Sequence, residues 1–540
     1  MFNGTNRLFF LANYEAVRDR KAVRQIASVP SLAMRAGDFS ILLPRTAIYN
    51  PATRVRQANG TITAQPFAGN VVPSSLFNPK AVKLLEFYPA PNVPGAGLSN
   101  NYQAAEGRRQ DADQFTTRVD FVENSNSNWF GRYSHDDEFQ ISPSTFPKQG
   151  YKLQTTAEQA LVSNTRVLNP TLVNEFRFSY SGFHNRNLQY NAYVRDVINE
   201  LGGISGVATP TPETYGTPAI SITGFSGFGE NSLAPFINND HIFQWADNLS
   251  INIGKHSLRI GGEIRRDRFN TEGNQHPRGS FSFQGQATQN PAASANTGYG
   301  FADYLLGQVR FDDGALGLAI AQLRSTSQAY FIDDSWKVRP NLTVSLGLRY
   351  EYTPPYGDKY SGALINVDLP SLFDPARRPT LVRSGTGDFY AGLPFRFAPG
   401  IQTARDGRLG DRLIYPDRND FAPRLGVAYS PASKWTLRSG FGVFYVQDIG
   451  NTRFDLSRNL AARREDTSSN DFPDLTLDTP FRGIGSSLTV VNPLELAVDP
   501  HTRTPYILQY LFNIQRQLTS NLLFDCRDPV RPRRIGPTRS

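Results

Sequence analysis

The sequence is poor in several residue types at once. It has 1 Cys, 2 Met, 4 Trp and 6 His in 540 residues. A single cysteine excludes a disulfide framework and a cysteine zinc site. The histidines are scattered, with no H-E-x-x-H and no close pair, so no zinc-hydrolase signature is present. Charged residues make up 19%, below the usual quarter or so. Together with 12% aromatics, that excludes a wholly disordered chain. No run approaches about 18 consecutive apolar residues, which excludes a membrane helix. A membrane β-barrel stays open, because its strands hide their apolar residues in alternation. The mean hydropathy of -0.41 fits that reading. Residues 1–7 show no basic start leading into an apolar run, so an export signal is expected upstream of them.

Positive charge is present, but it is unevenly placed. Residues 526–540 read CRDPVRPRRIGPTRS. Removing this tail, with its five arginines and one aspartate, lowers the net charge from +8 to +4. The basic pI of 9.4 is therefore weak support for a nucleic-acid partner, and none is expected. The tail is read as lying outside the fold, as the product of a reading-frame change, which leaves residues 1–525 as one domain.

The recurring unit in that domain is a period-2 strand, a short turn and a second such strand, followed by a long polar stretch. In LTVSLGLRYEY, Leu342, Val344, Leu346, Leu348, Tyr350 and Tyr352 share one face. Thr343, Ser345, Gly347, Arg349 and Glu351 share the other. About eleven residues is the length a tilted membrane strand needs. The strand before it turns at Arg339-Pro340-Asn341. Its alternation is poorer, because Asp334 falls on the face of Tyr330, Ile332 and Trp336. Similar hairpins are expected at Phe115–Tyr133, around Phe176–Tyr180, at Leu258–Ile264 after a turn at Gly254-Lys255, and at Leu437–Tyr445. A last one begins at Ile507–Gln517 and breaks off near Phe524. Roughly a dozen strands result. Short and long connections alternate, and many apolar faces end in Tyr, Phe or Trp, as on an outer-membrane barrel. The expected fold is thus all-β, an antiparallel transmembrane barrel with long extracellular loops.

Residues 24–112 and 184–240 are rich in Pro, Gly, Asn and Ser with few alternating runs, and segments 353–420 and 449–504 are long and loop-like. One short helix is expected from Pro79 to Tyr88, capped by Asn78.

No catalytic motif survives inspection. Gly254-Lys255-His256-Ser257 lacks the first glycine of a phosphate loop, since that position is Leu249, and is read as a hairpin turn. Gly224–Gly229 is read as loop. His135-Asp136-Asp137-Glu138 is read as a solvated acidic loop at the outer end of a strand. No catalytic, metal or cofactor residue is assigned, and no enzyme activity is expected. The informative set is the polar face: Arg118, Asp120, Arg177, Arg259, Glu263, Arg265, Arg349, Glu351 and Arg438. These line an expected lumen, as ion pairs across neighbouring strands or as a lining that meets a plug or a passing solute.

Several segments resemble one family. FIDDSWKVRPNLTVSLGLRYEY (331–352), NDFAPRLGVAYSPASKWTLRSGFGVFY (419–445), GKHSLRIGGEIRR (254–266) and the Asp113–Glu138 hairpin with Phe130-Gly131-Arg132-Tyr133-Ser134 are similar to hairpins of TonB-dependent outer-membrane receptors of the Oar-like kind. So are Arg35-Ala36-Gly37-Asp38-Phe39-Ser40, Gly69–Pro73 and Tyr88-Pro89-Ala90-Pro91-Asn92. The matches spread over roughly residues 5–525. The resemblance implies a 22-stranded barrel in the outer membrane of a Gram-negative bacterium, holding a plug domain. It also implies a carboxypeptidase-regulatory-like domain and a segment that couples to the TonB protein. Solute uptake would follow, with the solute itself unidentified. A barrel that displays loops for adhesion or protein export is the alternative. A soluble all-β enzyme or carbohydrate-binding sandwich would need two carboxylates in one cleft, and no such pair is evident.

Measured against that family, the sequence starts after the plug and stops before the final strands, as a partial barrel. A dozen strands alone leave two open edges, which lipid does not tolerate. Residues 1–540 by themselves are therefore expected to aggregate or to fail to insert. A heat-modifiable band on a gel from this segment alone would overturn that expectation.

Overall fold

A computed structural model describes residues 5–540 except 208, 210, 231–233, 274–275, 316–318, 369–378, 394, 447–455, 462, 483–488, 491–495, 529–532 and 536–540. Thirteen strands form one wall. They are β1 (Leu8–Ala27), β2 (Tyr102–Asn124), β3 (Ser127–Pro143), β4 (Gly150–Asn169), β5 (Leu172–Gln189), β6 (Phe236–Ile253) and β7 (His256–Gly273). The rest are β8 (Ala319–Arg339), β9 (Leu342–Tyr352), β10 (Asp420–Tyr429), β11 (Trp435–Tyr445), β12 (Tyr506–Thr519) and β13 (Leu522–Asp528). Each pairs with the next in that order, from β1 at one end to β13 at the other, and every one of these ladders is antiparallel. No helix of the described residues is long and apolar enough to cross a membrane.

The connections fall into two kinds at two ends. Residues 125–126, 170–171, 254–255, 340–341, 430–434 and 520–521 are tight turns at one end. Gly254, at φ 57, supplies the left-handed residue that such a turn needs. At the other end lie six connections: 28–101, 144–149, 190–235, 274–318, 353–419 and 446–505.

Register carries the two faces around the wall, since side chains directly opposite share a face. Val119 lies opposite Gly131, and the row continues through Val162, Phe178 and Trp245 to Ile264. One residue along, Arg118 leads through Arg132, Leu161, Ser179 and Gln244 to Arg265. The first row is apolar and open to the surroundings: Val119 is 43% exposed, Val162 42%, Trp245 41% and Ile264 40%. A soluble protein does not expose a continuous apolar band of this extent. It is the face that meets lipid.

That band occupies only the strand halves near the tight turns. Beyond it the strands run on toward the loops as a stem, polar on both faces. The Phe115–Phe121 strand thus begins at Tyr102, and β1 reaches Ala27, both inside a stretch with few alternating runs. Likewise β5 runs to Gln189 and β6 starts at Phe236. The alternation signal comes from lipid, and it vanishes where water wets both faces. His135-Asp136-Asp137-Glu138 lies within β3 and not in a loop. Its groups are held in the stem: Glu138 accepts from Gln110 Nε2 at 2.7 Å and Asp137 from Thr156 Oγ1 at 2.9 Å.

The misfit on the apolar face also has a partner. Asp334 meets His256 Nδ1 at 2.7 Å, and the His256 ring stacks on Trp336 at 5.4 Å between centroids. Both sit beside the tight turns, at the rim of the band, where a polar pair costs little. The expected helix forms over Pro79–Leu84, with the Asn78 side chain accepting from the Lys80 and Ala81 N–H groups. It ends before Tyr88 because Leu85–Phe87 tighten into a 3-10 turn.

Adjacent positions of β9 test the face assignment in the protein as it sits in its outer membrane. Leu346→Arg, on the apolar face, is expected to cost about 2–4 kcal/mol near the bilayer centre. Ser345→Arg, on the polar face, is expected to leave urea resistance within about 0.5 kcal/mol. Equal losses for both variants would overturn the assignment.

Candidate functional site

All nine polar-face candidates fall on the same face of the wall by register. The structure brings three of them together. Arg177 of β5, Glu263 of β7 and Arg349 of β9 line one recess with Gln159, Gln244, Asn248 and Phe331. Its volume is 310 Å³, at the level of the apolar band. The lining residues come from six successive strands, which would lie about 24 Å apart edge to edge in a flat sheet. One recess touches them all because the wall is concave on this side. Gly261 helps form it: a Cβ there would stand 2.5 Å from the Phe331 ring. Arg118 and Asp120 lie on β2, Arg259 and Arg265 on β7, Glu351 on β9 and Arg438 on β11, outside the recess lining.

The ion pairs of the polar-face candidates run along strands, not across them as expected. Arg118 and Asp120 meet at 2.6 Å, Arg177 and Glu175 at 2.6 Å, Arg265 and Asp267 at 2.8 Å, and Arg349 and Glu351 at 2.9 Å. Residues i and i+2 share a face about 7 Å apart, within reach of a guanidinium. The cross-strand neighbours offer no carboxylate: Arg349 lies opposite Phe331 and Ala422, and Arg177 opposite Ser163 and Ala246. Arg259 does lie opposite Asp333, but the Asp333 carboxylate leans over Gly347. Among the described residues Arg259, Glu263 and Arg438 form no ion pair.

The recess therefore presents two arginines, one carboxylate with no ion-pair partner, three amides and an aromatic ring. Such a set binds a polar solute through both donors and acceptors. No nucleophile–base pair lies among its lining residues. No group of three His, Cys, Asp or Glu side chains among the described residues is placed to hold a metal.

The second part of the site is the cap built by the long connections. A continuous hydrophobic cluster draws on five of them, with Phe39, Tyr88, Phe146, Ile198, Phe283, Tyr304 and Leu477 among its members. A four-stranded sheet joins three connections, in the order Arg463–Thr467, Phe311–Ala315, Ser280–Phe283, Ala219–Ile222. Buried charges join them further. Arg54 donates to the carbonyls of Gln286, Ala287, Gln289, Asn470 and Asp471. Arg463 reaches Asp313 with Nε at 3.0 Å, and His276 Nε2 lies 3.3 Å from the same carboxylate.

Several cap groups are shifted by this burial. Asp303 accepts from Gly285, Ala287 and Thr288 N–H groups and the Thr288 hydroxyl, yet desolvation still pushes it up to about 6. Complete burial pushes Arg278 down to about 10, against the pull of Glu230. Asp312 goes up to about 8, by burial first and the Asp466 charge second. Sequence inspection found none of these groups. Their partners lie from 15 to 154 residues away, and only the adjacent pairs Asp312-Asp313 and Arg463-Arg464 hinted at complementary charge.

Comparison with known proteins places the geometry among relatives. The family described as outer membrane beta barrel domain matches residues 4–527. No curated protein gave a match. Among solved structures, the outer membrane transporter YddB of Escherichia coli is 9% identical, with 81% of this chain and 42% of that one covered, at a TM-score of 0.43. The ferric-catecholate import receptor Fiu of E. coli K12 is 10% identical, with 77% and 50% covered, at 0.36. The siderophore receptor PiuA of Acinetobacter baumannii is 7% identical, with 77% and 48% covered, at 0.36. The chain spans half the length of these structures or less.

Asp312 sets a pH dependence for the cap. Its folded-state pKa of about 8 lies above the ordinary carboxylate value, so the folded cap binds more protons than the unfolded one in between. Its contribution to cap stability therefore falls as pH rises from about 4 to about 8. Asp312→Asn removes that slope. Limited proteolysis of the cap across this range is expected to show protection that declines with pH in the parent and declines less steeply in the variant, where Asp303 still contributes below about pH 6. Identical slopes would refute the assignment.

Proposed function

Since the chain belongs to the outer membrane beta barrel domain family, matched over residues 4–527, we propose that it forms the wall and outer cap of a receptor that takes up a polar solute across the outer membrane. The observation that carries this is the recess of Arg177, Glu263 and Arg349 on the concave face of the wall. An adhesin needs its loops and has no use for polar groups on the inner wall. Among the described residues Glu263 has no ion-pair partner although it faces inward, which suits a group reserved for a solute or a plug.

We further read the receptor as TonB-dependent and Oar-like, on the sequence segments quoted above. In that reading residues 1–525 are the barrel portion. The plug and the segment that meets TonB belong to the same protein, outside this wall. The solute class is set by the cap, where side chains of several connections meet.

The test is uptake by cells that carry the protein. Labelled ferric siderophores, cobalamin, maltodextrins and short peptides serve as probes. One class is expected to bind at the surface and to accumulate only while the inner-membrane proton gradient is intact. Glu263→Gln combined with Arg349→Ala is expected to lower that accumulation about tenfold or more, with outer-membrane assembly unchanged. Surface binding with no energised accumulation for any probe would overturn the proposal in favour of adhesion.

A further inference from the structure

The lipid side of the wall carries a basic cluster that the uptake reading does not use. On β7, the apolar row ends at Ile264, opposite Trp245. The next residue on this face is Arg266, opposite Phe243 and Thr326, and the one after is Arg268, opposite His241 and Arg324. Arg268 and Arg324 are direct register partners. Like charges directly opposite destabilise a ladder unless a counter-charge sits between them.

Among the described residues no carboxylate hydrogen-bonds to any of the three arginines, and Asp358 acts on Arg324 only at a distance. Arg266 donates to Thr326 Oγ1 at 2.6 Å, Arg324 to the Leu323 carbonyl at 2.8 Å and to Gln322 Oε1 at 3.3 Å, and the Arg268 guanidinium lies over the Phe243 ring at 5.1 Å. The neighbouring acids are occupied elsewhere. Asp267 alternates to the inner face and pairs with Arg265. Glu158, on β4, sits by Tyr133 and His135. Asp358 is buried and accepts from the Ala363 N–H.

Position gives the second observation. Ten residues separate His256, beside the tight turn, from Arg266. They span about 33 Å of strand, or roughly 25 Å of height at a tilt of about 40°. That equals the height of the apolar band of such barrels. Arg266, Arg268 and Arg324 therefore stand at headgroup level on the loop side, beside Phe243 and just above Trp245 and Tyr330.

We propose that Arg266, Arg268 and Arg324 form a binding site for the phosphate of an anionic lipid in the outer leaflet, its acyl chains lying down the apolar face of β6–β8. A phosphate between Arg268 and Arg324 supplies the missing counter-charge, and guanidiniums suit its oxygens.

The test uses protein extracted from outer membranes in dodecylmaltoside, with bound lipid counted by native mass spectrometry. Bisphosphorylated lipid A is the main probe; dephosphorylated lipid A, phosphatidylcholine and inorganic phosphate are the others. The parent is expected to retain lipid A, and the variant with Arg266→Ala, Arg268→Ala and Arg324→Ala to bind it about a hundredfold more weakly. Lysine at the same three positions is expected to restore most of the binding. Arg516→Ala, at the opposite rim of the band where Arg516 lies over Trp435, is expected to change nothing. Dephosphorylated lipid A is expected to bind the parent as weakly as phosphatidylcholine does, a comparison that needs no variant to fold. Equal binding by the triple-alanine variant, an equal loss in Arg516→Ala, equal retention of dephosphorylated lipid, or displacement by inorganic phosphate at lipid-equivalent concentration would each overturn the site.

Discussion

Every level of this structure follows from one constraint: a backbone N–H or C=O in hydrocarbon has no water to bond. A sheet satisfies it only by pairing each strand with the next, and thirteen strands here do so with tight turns on one side. The strand then has two environments. One face meets lipid and must be apolar, while the other is free to hold charge. Arg118, Arg177, Arg265 and Arg349 exist in the wall because alternation sends them away from lipid. The same alternation explains why a chain with so few long apolar runs belongs to a membrane.

The constraint also sets what was legible in the sequence. Where lipid touches the strand, as at Phe115–Phe121 or Leu342–Tyr352, period-2 alternation marked the strand and its turn correctly. Above the band the stem keeps its hydrogen bonds but loses its lipid, and Tyr102–Gln114 reads like loop although it is strand. The candidate arginines and carboxylates were legible as a face, and register places all nine there. Their pairing was not. An i, i+2 partner along a strand and an opposite partner across strands look alike until the residue opposite is known, and here it is Ala, Ser or Phe. The cap lay furthest from view. Arg54 and Asp471, or Arg463 and Asp313, are separated by more of the chain than any local pattern spans.

The cap and the wall use charge in opposite ways. In the cap, buried Arg54 ties three connections together through backbone carbonyls, while Asp303 and Glu230 are buried against backbone N–H groups of their own connections, each at the cost of desolvation. Removing one partner of such a set leaves a buried charge without compensation. On the inner wall the charges are half exposed and paired in twos, and such pairs contribute little to stability. A wall that needed only to stand would keep its inner carboxylates paired. Glu263 without an ion-pair partner beside two arginines is better understood as a surface prepared for something else that is polar.

The lipid side extends the same reasoning to its outer rim. A polar residue on that face is expensive at the band's centre and cheap at its edges. Both edges carry such residues, each with a distinct solution. At the turn side, Asp334 is hydrogen-bonded within the protein to His256, and the pair closes on itself against Trp336. At the loop side, Arg268 and Arg324 face each other with aromatic and hydroxyl neighbours, and among the described residues no carboxylate bonds to either. A fold that can place a carboxylate beside a histidine at one rim had the same means at the other. The unbalanced charge at the loop side is consistent with a counter-ion that the membrane itself supplies.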